Sequence, residues 1–187
     1  MNTQDIYRRA VEEFGRRMDA VRDDQWGNTT PCTDWNVRAL VNHVVSEDRW
    51  VVPLLAGRTI DEVGSSLDGD LLGDDPKASW KQTHSDALDA VAGDGVTERI
   101  VSLSRGPTPA EVYLREVAAD NVIHAWDLAM GTDGDAALDP ELVEFAFAFY
   151  EPQAEIWRQF GAFGAEVVVP AEADRQTKLL GMVGRKA

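Results

Sequence analysis

The sequence is short of side chains that bind metals or form disulfides. Among its 187 residues there is one cysteine, Cys32, and there are three histidines, His43, His84 and His124. A single cysteine excludes an intrachain disulfide and agrees with a reducing compartment. It also excludes zinc sites built from paired Cys-x-x-Cys motifs. Any metal site must therefore depend on histidines and carboxylates, which can be weighed one by one.

Positive charge is also scarce. The chain has 18 lysines and arginines against 33 aspartates and glutamates, which gives a formal net charge of −15. Binding to nucleic acid or to an anionic membrane surface needs clustered basic side chains, so the charge argues against both partners. It does not exclude a small anionic substrate, because one bound cation can reverse the local field.

Long apolar runs are missing as well, and with them any predicted membrane span. The N-terminal residues 1–5 lack the basic region and apolar stretch of a signal peptide, so we expect a cytoplasmic protein. A chain of this length can form one domain over residues 1–187, with a C-terminal extension at about 161–187, and can fold around its own core. A bound metal would then be available for chemistry.

Apolar residues recur every three or four positions through most of the chain, which predicts an all-α protein. The pattern indicates an up-and-down four-helix bundle with short appendages. Residues 57–75 form a predicted loop with a short helical piece at 59–63, and residues 96–103 and 166–170 are predicted to be extended, the first with little to pair with. The predicted helices cover residues 3–21, 33–55, 76–91, 108–130, a segment from 139 that Pro152 kinks or splits, and 174–183.

Four helix starts carry recognisable capping signals. Asp75-Pro76 and Asp139-Pro140 each combine an N-cap residue with proline in the first turn. Thr33 is the predicted N-cap of the second helix. Thr108 to Glu111 reads as a capping box with Pro109 in the first turn.

The fourth main helix carries a candidate half of a metal site. Asp120 and His124 are four residues apart, so they lie on one helix face, and Asp127 follows one turn later. His43 lies beside the apolar side of the second helix, with Glu47 one turn on. If these two helices are neighbours, His43, Asp120 and His124 can bind one ion. Two imidazoles and one carboxylate leave open positions, which is the catalytic pattern.

Other interpretations of these residues remain open. The histidines could be buried and satisfied by hydrogen bonds to Asp120 or Asp127. Asp127 and Glu47 could orient an imidazole, act as a base, or simply be solvated. His84 lies in a polar stretch and is expected to be exposed. Cys32 precedes a helix N-terminus, although a buried loop thiol is the favoured interpretation.

Four stretches of the chain carry a family resemblance: Thr30–His43, Gly69–Pro76, Asp120–Leu128 and Phe163–Arg185. They resemble the mycothiol-dependent maleylpyruvate isomerase-like proteins of the DinB/YfiT-like group of metalloenzymes. The resemblance implies a four-helix bundle with a metal triad of His, Glu or Asp, and His, which matches His43, Asp120 and His124. It implies zinc as the usual ion, or nickel, and mycothiol as the partner thiol.

Two departures from that family bear on the reaction. The characterised isomerase has a glutamate at the position of Asp120. It also has an additional C-terminal domain for which this chain is too short, which argues against isomerisation of maleylpyruvate.

The functional hypothesis is thus a metal-dependent transferase or isomerase-like enzyme that activates a low-molecular-weight thiol for attack on a small-molecule substrate. Asp127 or Glu47 would orient a ligand or act as a base, and Trp126 would form part of the pocket wall. A metal-assisted hydrolase and a non-enzymatic metal-binding or ligand-sensing module are the alternatives. A homodimer through helix faces is compatible with the sequence, which does not specify it.

Overall fold

The structure, a computed structural model, describes all 187 residues and confirms the all-α class. Short 3₁₀ turns occur at Asp23–Gln25, Gly64–Leu67 and Val96–Glu98, and one antiparallel hairpin joins β1 (Ile100–Leu103) to β2 (Gly106–Pro109). None of the helices combines the length and apolar character that a membrane crossing requires. The helices are α1 (Thr3–Ala20), α2 (Val37–Leu55), α3 (Ile60–Val63), α4 (Pro76–Val91), α5 (Ala110–Gly131), α6 (Pro140–Tyr150), α7 (Ala154–Gln159) and α8 (Arg175–Met182).

Helices α1, α2, α4 and α5 form the four-helix bundle. Helix α5 packs against α1 and α2, and α4 closes the bundle against the same two helices. Buried residues occur on all sides of α5 because α6 covers the face that the bundle leaves open. Pro152 lies in the turn between α6 and α7, so it splits the predicted helix, and α8 packs on α6.

Two predicted helix starts are wrong. The N-cap of α2 is Asn36, whose side chain accepts a hydrogen bond from the Ala39 amide, and not Thr33, which lies in an exposed turn. The capping box at the start of α5 does not form, because Thr108 belongs to β2 and its hydroxyl donates to the carbonyl of Gly106. The side chain of Glu111 accepts from the hydroxyl of Thr3 instead.

The hairpin between β1 and β2 also differs from the sequence prediction. Residues 96–103 were expected to have little to pair with, but Ile100–Leu103 pairs with the four residues that immediately precede α5. Gly106 takes a φ of 109°, a conformation that side chains with a Cβ rarely adopt, and it permits the tight reversal. Periodicity misses such a strand because Gly106–Pro109 contains two prolines and a glycine.

The C-terminal segment closes over one end of the bundle. Residues 166–170 form no strand, but the amide of Val167 donates to the carbonyl of Gly181 in α8 over 2.9 Å. A Cβ at Gly181 would lie 2.6 Å from the carbonyl oxygen of Val167, so only glycine permits this approach. The segment thereby brings Arg185 against Asp127 near the C-terminal end of α5 and against Cys32 in the loop before α2.

Candidate metal centre

Helices α2 and α5 bring His43, Asp120 and His124 together. The Nε2 atom of His43 lies 3.2 Å from Oδ2 of Asp120, and the Nε2 atom of His124 lies 3.4 Å from Oδ1 of the same carboxylate. One nitrogen from each imidazole and one carboxylate oxygen lie within 4.8 Å of one another. The structure thus places the three side chains as the predicted triad requires.

The electrostatics of the triad are those of closely coupled charges. Burial opposes ionisation of His124, but the Asp120 carboxylate outweighs it and holds the pKa of His124 well above its usual value. Burial likewise opposes ionisation of Asp120, but the two imidazoles hold the pKa of Asp120 far below its usual range. A negative group is thus favoured between the two imidazoles, and a cation there would replace the additional proton that His124 carries.

The other ring nitrogen of His124, Nδ1, forms a hydrogen bond on the side of the ring away from the triad. Its Nδ1 atom lies 3.0 Å from Oδ2 of Asp127, which is fully buried. The guanidinium of Arg185 donates to both oxygens of Asp127 over 3.2 and 2.9 Å. Burial would raise the pKa of Asp127, but the hydrogen bond with His124 and the Arg185 charge lower it. Asp127 therefore stays ionised and holds a proton on Nδ1 of His124, so Nε2 is the nitrogen that would be available to a cation in the triad.

The donor set fits a divalent ion. Imidazole nitrogen and carboxylate oxygen are the usual ligands of catalytic zinc, and three protein ligands leave a coordination position for a substrate. Hydrogen bonding of the other nitrogen of His124 to a carboxylate is the arrangement typical of metal-bound histidine. His43, Asp120 and His124 are thus the residues that could hold the ion.

The triad lies in the wall of a cavity of about 700 Å³. Glu47, one turn beyond His43, also lines it, and burial together with the Asp120 carboxylate raises the pKa of Glu47. The indole of Trp35 lies against both histidines, with ring centroids 4.6 and 5.8 Å away. Four further aromatic rings line the cavity, namely those of Tyr113, Tyr150, Trp157 and Phe163.

The expectations for Trp126 and His84 need correction, and that for Cys32 agrees with the structure in part. Trp126 is buried in the core and does not line the cavity, because it lies on the side of α5 away from the triad. His84 is half-buried against Trp80, with ring centroids 5.5 Å apart, and burial lowers its pKa. Cys32 is part-buried in a loop and lines the cavity, with its thiol 3.2 Å from Asp127 and 3.0 Å from Arg185.

Sequence reasoning missed two contributors to the site. Arg185 lies 58 residues from its partner Asp127, and no local pattern connects them. Glu116 precedes Asp120 by one turn of α5 and lines the cavity, so the helical spacing that found His124 could also have found it.

The chain belongs to the family described as the mycothiol maleylpyruvate isomerase N-terminal domain, whose sequence model matches residues 7–129. Two uncharacterised proteins from two strains of Mycobacterium tuberculosis are each 29% identical over 183 residues, which is 96% of this chain and 95% of theirs. The crystal structure of a histidine mutant of mycothiol-dependent maleylpyruvate isomerase superposes with a TM-score of 0.58. That match covers 90% of this chain and 75% of the other, and at 13% identity it shows a shared fold.

Proposed function

We propose that the protein is a metal-dependent, thiol-using enzyme of the transferase or isomerase-like type. The observation that carries the proposal is the convergence of His43, Asp120 and His124 on one point in the wall of a cavity. Membership of a family named for a mycothiol-dependent isomerase supports mycothiol, or a similar low-molecular-weight thiol, as the co-substrate. Zinc is the ion that we expect, with nickel as the alternative.

His43, Asp120 and His124 line the cavity, so an ion that they bound would face it. A divalent cation bound there supplies Lewis acidity, which lowers the pKa of a coordinated thiol and stabilises the thiolate nucleophile. His43 and His124 would contribute neutral nitrogen donors, and Asp120 would contribute one negative charge. Because only one of these three groups is anionic, a divalent ion held by them would leave a net positive charge to attract a thiolate.

The neighbouring residues position the ligands and handle the proton. Asp127 fixes the ring orientation of His124, and Arg185 fixes Asp127. Glu47 is the base that we expect to accept the thiol proton, because its raised pKa brings it closer to neutral pH and it lines the same cavity.

The aromatic rings that line the cavity would hold the electrophile against the thiolate nucleophile. Attack of the thiolate on a saturated carbon with departure of a leaving group is a transfer reaction. Reversible addition to a conjugated double bond, with rotation before the thiol leaves, is an isomerisation. Both reactions need the same thiolate in the same place, so the site supports either one.

The experiment that tests this proposal combines a spectrum with a rate. Protein loaded with cobalt is titrated with mycothiol, and conjugation of mycothiol to a fluorogenic haloalkyl compound is followed with zinc-loaded protein. We expect a thiolate charge-transfer band and a conjugation rate that both disappear in His124→Ala. Substitution His84→Gln, at the histidine outside the triad, is the matched control. A cobalt spectrum that does not change when mycothiol is added, together with turnover of esters in the absence of thiol, would contradict the proposal.

A further inference from the structure

The two imidazoles of the triad are held in different ways. Nδ1 of His124 lies 3.0 Å from the Asp127 carboxylate, and only 6% of the His124 side chain is exposed. His43 has 27% of its side chain exposed, and its one hydrogen bond with another protein group joins Nε2 to Asp120. A histidine that binds a metal is usually oriented by a hydrogen bond from its other ring nitrogen. An ion at Nε2 would displace the bond to Asp120, so the His43 ring needs a different support.

The indole of Trp35 lies against the His43 ring. The two ring centroids are 4.6 Å apart and the planes are inclined by 32°. Aromatic rings at this separation attract one another, and the attraction adds to the burial of apolar area. The same indole lies further from the ring of His124, with centroids 5.8 Å apart and planes inclined by 49°. Trp35 therefore packs more closely against the imidazole that lacks a second hydrogen bond.

The backbone that carries Trp35 is fixed on both sides. Its amide donates to the carbonyl of Cys32, and its carbonyl accepts from the hydroxyl of Thr30, each over 2.8 Å. The next residue, Asn36, is the N-cap of α2 and belongs to an isolated β-bridge that closes the loop. The loop thus presents the indole in a geometry tied to the helix that carries His43.

We propose that Trp35 is the positioning residue for His43, and that its indole holds the imidazole in the rotamer that turns Nε2 toward Asp120 and His124. This inference rests on the proposed function for the role of the triad as the metal site, and it adds a residue on which the affinity of that site depends. Trp35 is half-buried at the edge of the core, so loss of its indole should leave the core closed.

The size of the expected effect follows from rotamer populations. A side chain free to rotate about χ1 samples roughly three staggered positions. The apparent affinity for a ligand falls by the fraction of protein that is in the competent conformation. Trp35→Leu keeps apolar bulk but removes the ring, and the competent His43 rotamer should then fall to between about a third and about a tenth of the population. Zinc binding should weaken by the same factor, about three- to tenfold.

The test compares zinc affinity, measured by competition with a chromogenic chelator, in the wild type and three variants. Trp35→Phe restores an aromatic ring, so its loss of affinity should be less than about twofold. Trp50→Leu is the matched control, because Trp50 is a half-buried tryptophan on the same helix as His43 and does not line the cavity. Its zinc affinity should equal that of the wild type.

A second measurement needs no metal and reports on the ring itself. Carbon-13 relaxation of the ring Cε1–H groups in protein treated with EDTA gives the order of each histidine ring. Trp35→Leu should increase the motion of the His43 ring. The rings of His124 and His84 should keep their wild-type order, because Asp127 holds the first and the second lies on α4, away from the triad.

Three outcomes would overturn the inference. They are equal zinc affinity in Trp35→Leu and Trp50→Leu, a His43 ring as ordered in Trp35→Leu as in the wild type, and an equal loss of affinity in Trp35→Leu and Trp35→Phe. A wild type that binds no zinc would contradict the proposed function. Ring order in the metal-free protein would then still decide the role of Trp35, since a looser His43 ring in Trp35→Leu supports it and an unchanged ring overturns it.

Discussion

Among single residues, Asp127 makes the largest set of contacts behind the triad. It is fully buried and accepts hydrogen bonds from His124, Arg185 and the thiol of Cys32. Its negative charge orients one imidazole and compensates one guanidinium. Neither effect requires contact with a substrate, so Asp127 acts as a positioning residue.

Substitution Asp127→Asn should weaken zinc binding by about 10- to 100-fold, because the amide keeps the shape but loses the charge that fixes the His124 tautomer. Zinc affinity measured by competition with a chromogenic chelator checks this. Asp61→Asn, an exposed aspartate on α3, is the control and should bind zinc like the wild type. Unchanged affinity in Asp127→Asn would show that His124 is oriented by packing alone.

Asp48 lies beneath the site and is buried with one oxygen unpaired. Its other oxygen accepts from the hydroxyl of Tyr7 and the amide of Asn121. Burial raises the pKa of Asp48 to about 7. The folded protein therefore holds this proton more tightly than the unfolded chain does. The contribution of Asp48 to stability is greatest below pH about 4, and it falls as the pH rises through 7.

Substitution Asp48→Asn should remove the free-energy cost of ionising a buried carboxyl group at high pH, since the amide stays uncharged. We expect the variant to gain about 1–2 kcal/mol in the free energy of unfolding, relative to the wild type, between pH 5 and pH 8. Urea unfolding at the two pH values measures this difference. The same difference at both pH values would mean that Asp48 does not titrate between pH 5 and pH 8 and would contradict this prediction.

At the scale of secondary structure, the start of α2 matters because this helix carries His43 and Glu47. Substitution Asn36→Ala should cost about 1 kcal/mol of stability, since the amide of Ala39 loses its acceptor. Thr33→Ala, at the N-cap that the sequence suggested, should change stability by less than about 0.5 kcal/mol. Chemical denaturation of the two variants decides between the two caps, and a larger loss in Thr33→Ala would contradict the structure.

Helices were easier to predict than their ends. Helix α1 has a regular apolar stripe, so its extent agrees with the prediction to within a residue. Helix ends depend on which of several nearby polar residues receives the free amides. In α2 the choice of Asn36 over Thr33 depends on the bridge between Thr29 and Asn36, which sequence spacing does not reveal. The start of α5 was predicted wrongly because Thr108 pairs with Val101 in the hairpin and is therefore part of a strand.

At the scale of the whole molecule, the core does not depend on the metal. A single cluster of 41 buried apolar residues joins the bundle helices to α6 and α8. The site lies at the edge of this core, where His43 and Asp120 are partly exposed. Metal binding should therefore add stability to a fold that already exists.

We thus expect protein treated with EDTA to keep its helical circular dichroism and to melt cooperatively. Zinc at 100 times its dissociation constant should then raise the melting temperature by roughly 5–10 °C, since binding to the folded state alone contributes about 2.7 kcal/mol. Calorimetry with and without zinc provides the measurement. Loss of helix on EDTA treatment would make the metal structural and contradict this view.

Some residues of the site could be predicted from the sequence and others could not. His43, Asp120, His124 and Asp127 follow from helical spacing and from the assumption that two helices are neighbours. Arg185 and Phe163 come from the C-terminal segment, whose return to the bundle depends on close contacts at glycine, and Trp157 comes from α7. Those contacts are tertiary, so no periodicity in the sequence encodes them.

The central claim is that His43, Asp120 and His124 hold one divalent ion. Elemental analysis of protein purified without chelator or nickel affinity resin tests it most directly. The wild type and the control His84→Gln should contain close to one zinc or nickel per chain, and the combined variant His43→Ala, Asp120→Ala, His124→Ala should contain none. A wild type that stays metal-free after incubation with zinc, or a combined variant that retains the metal, would contradict the claim.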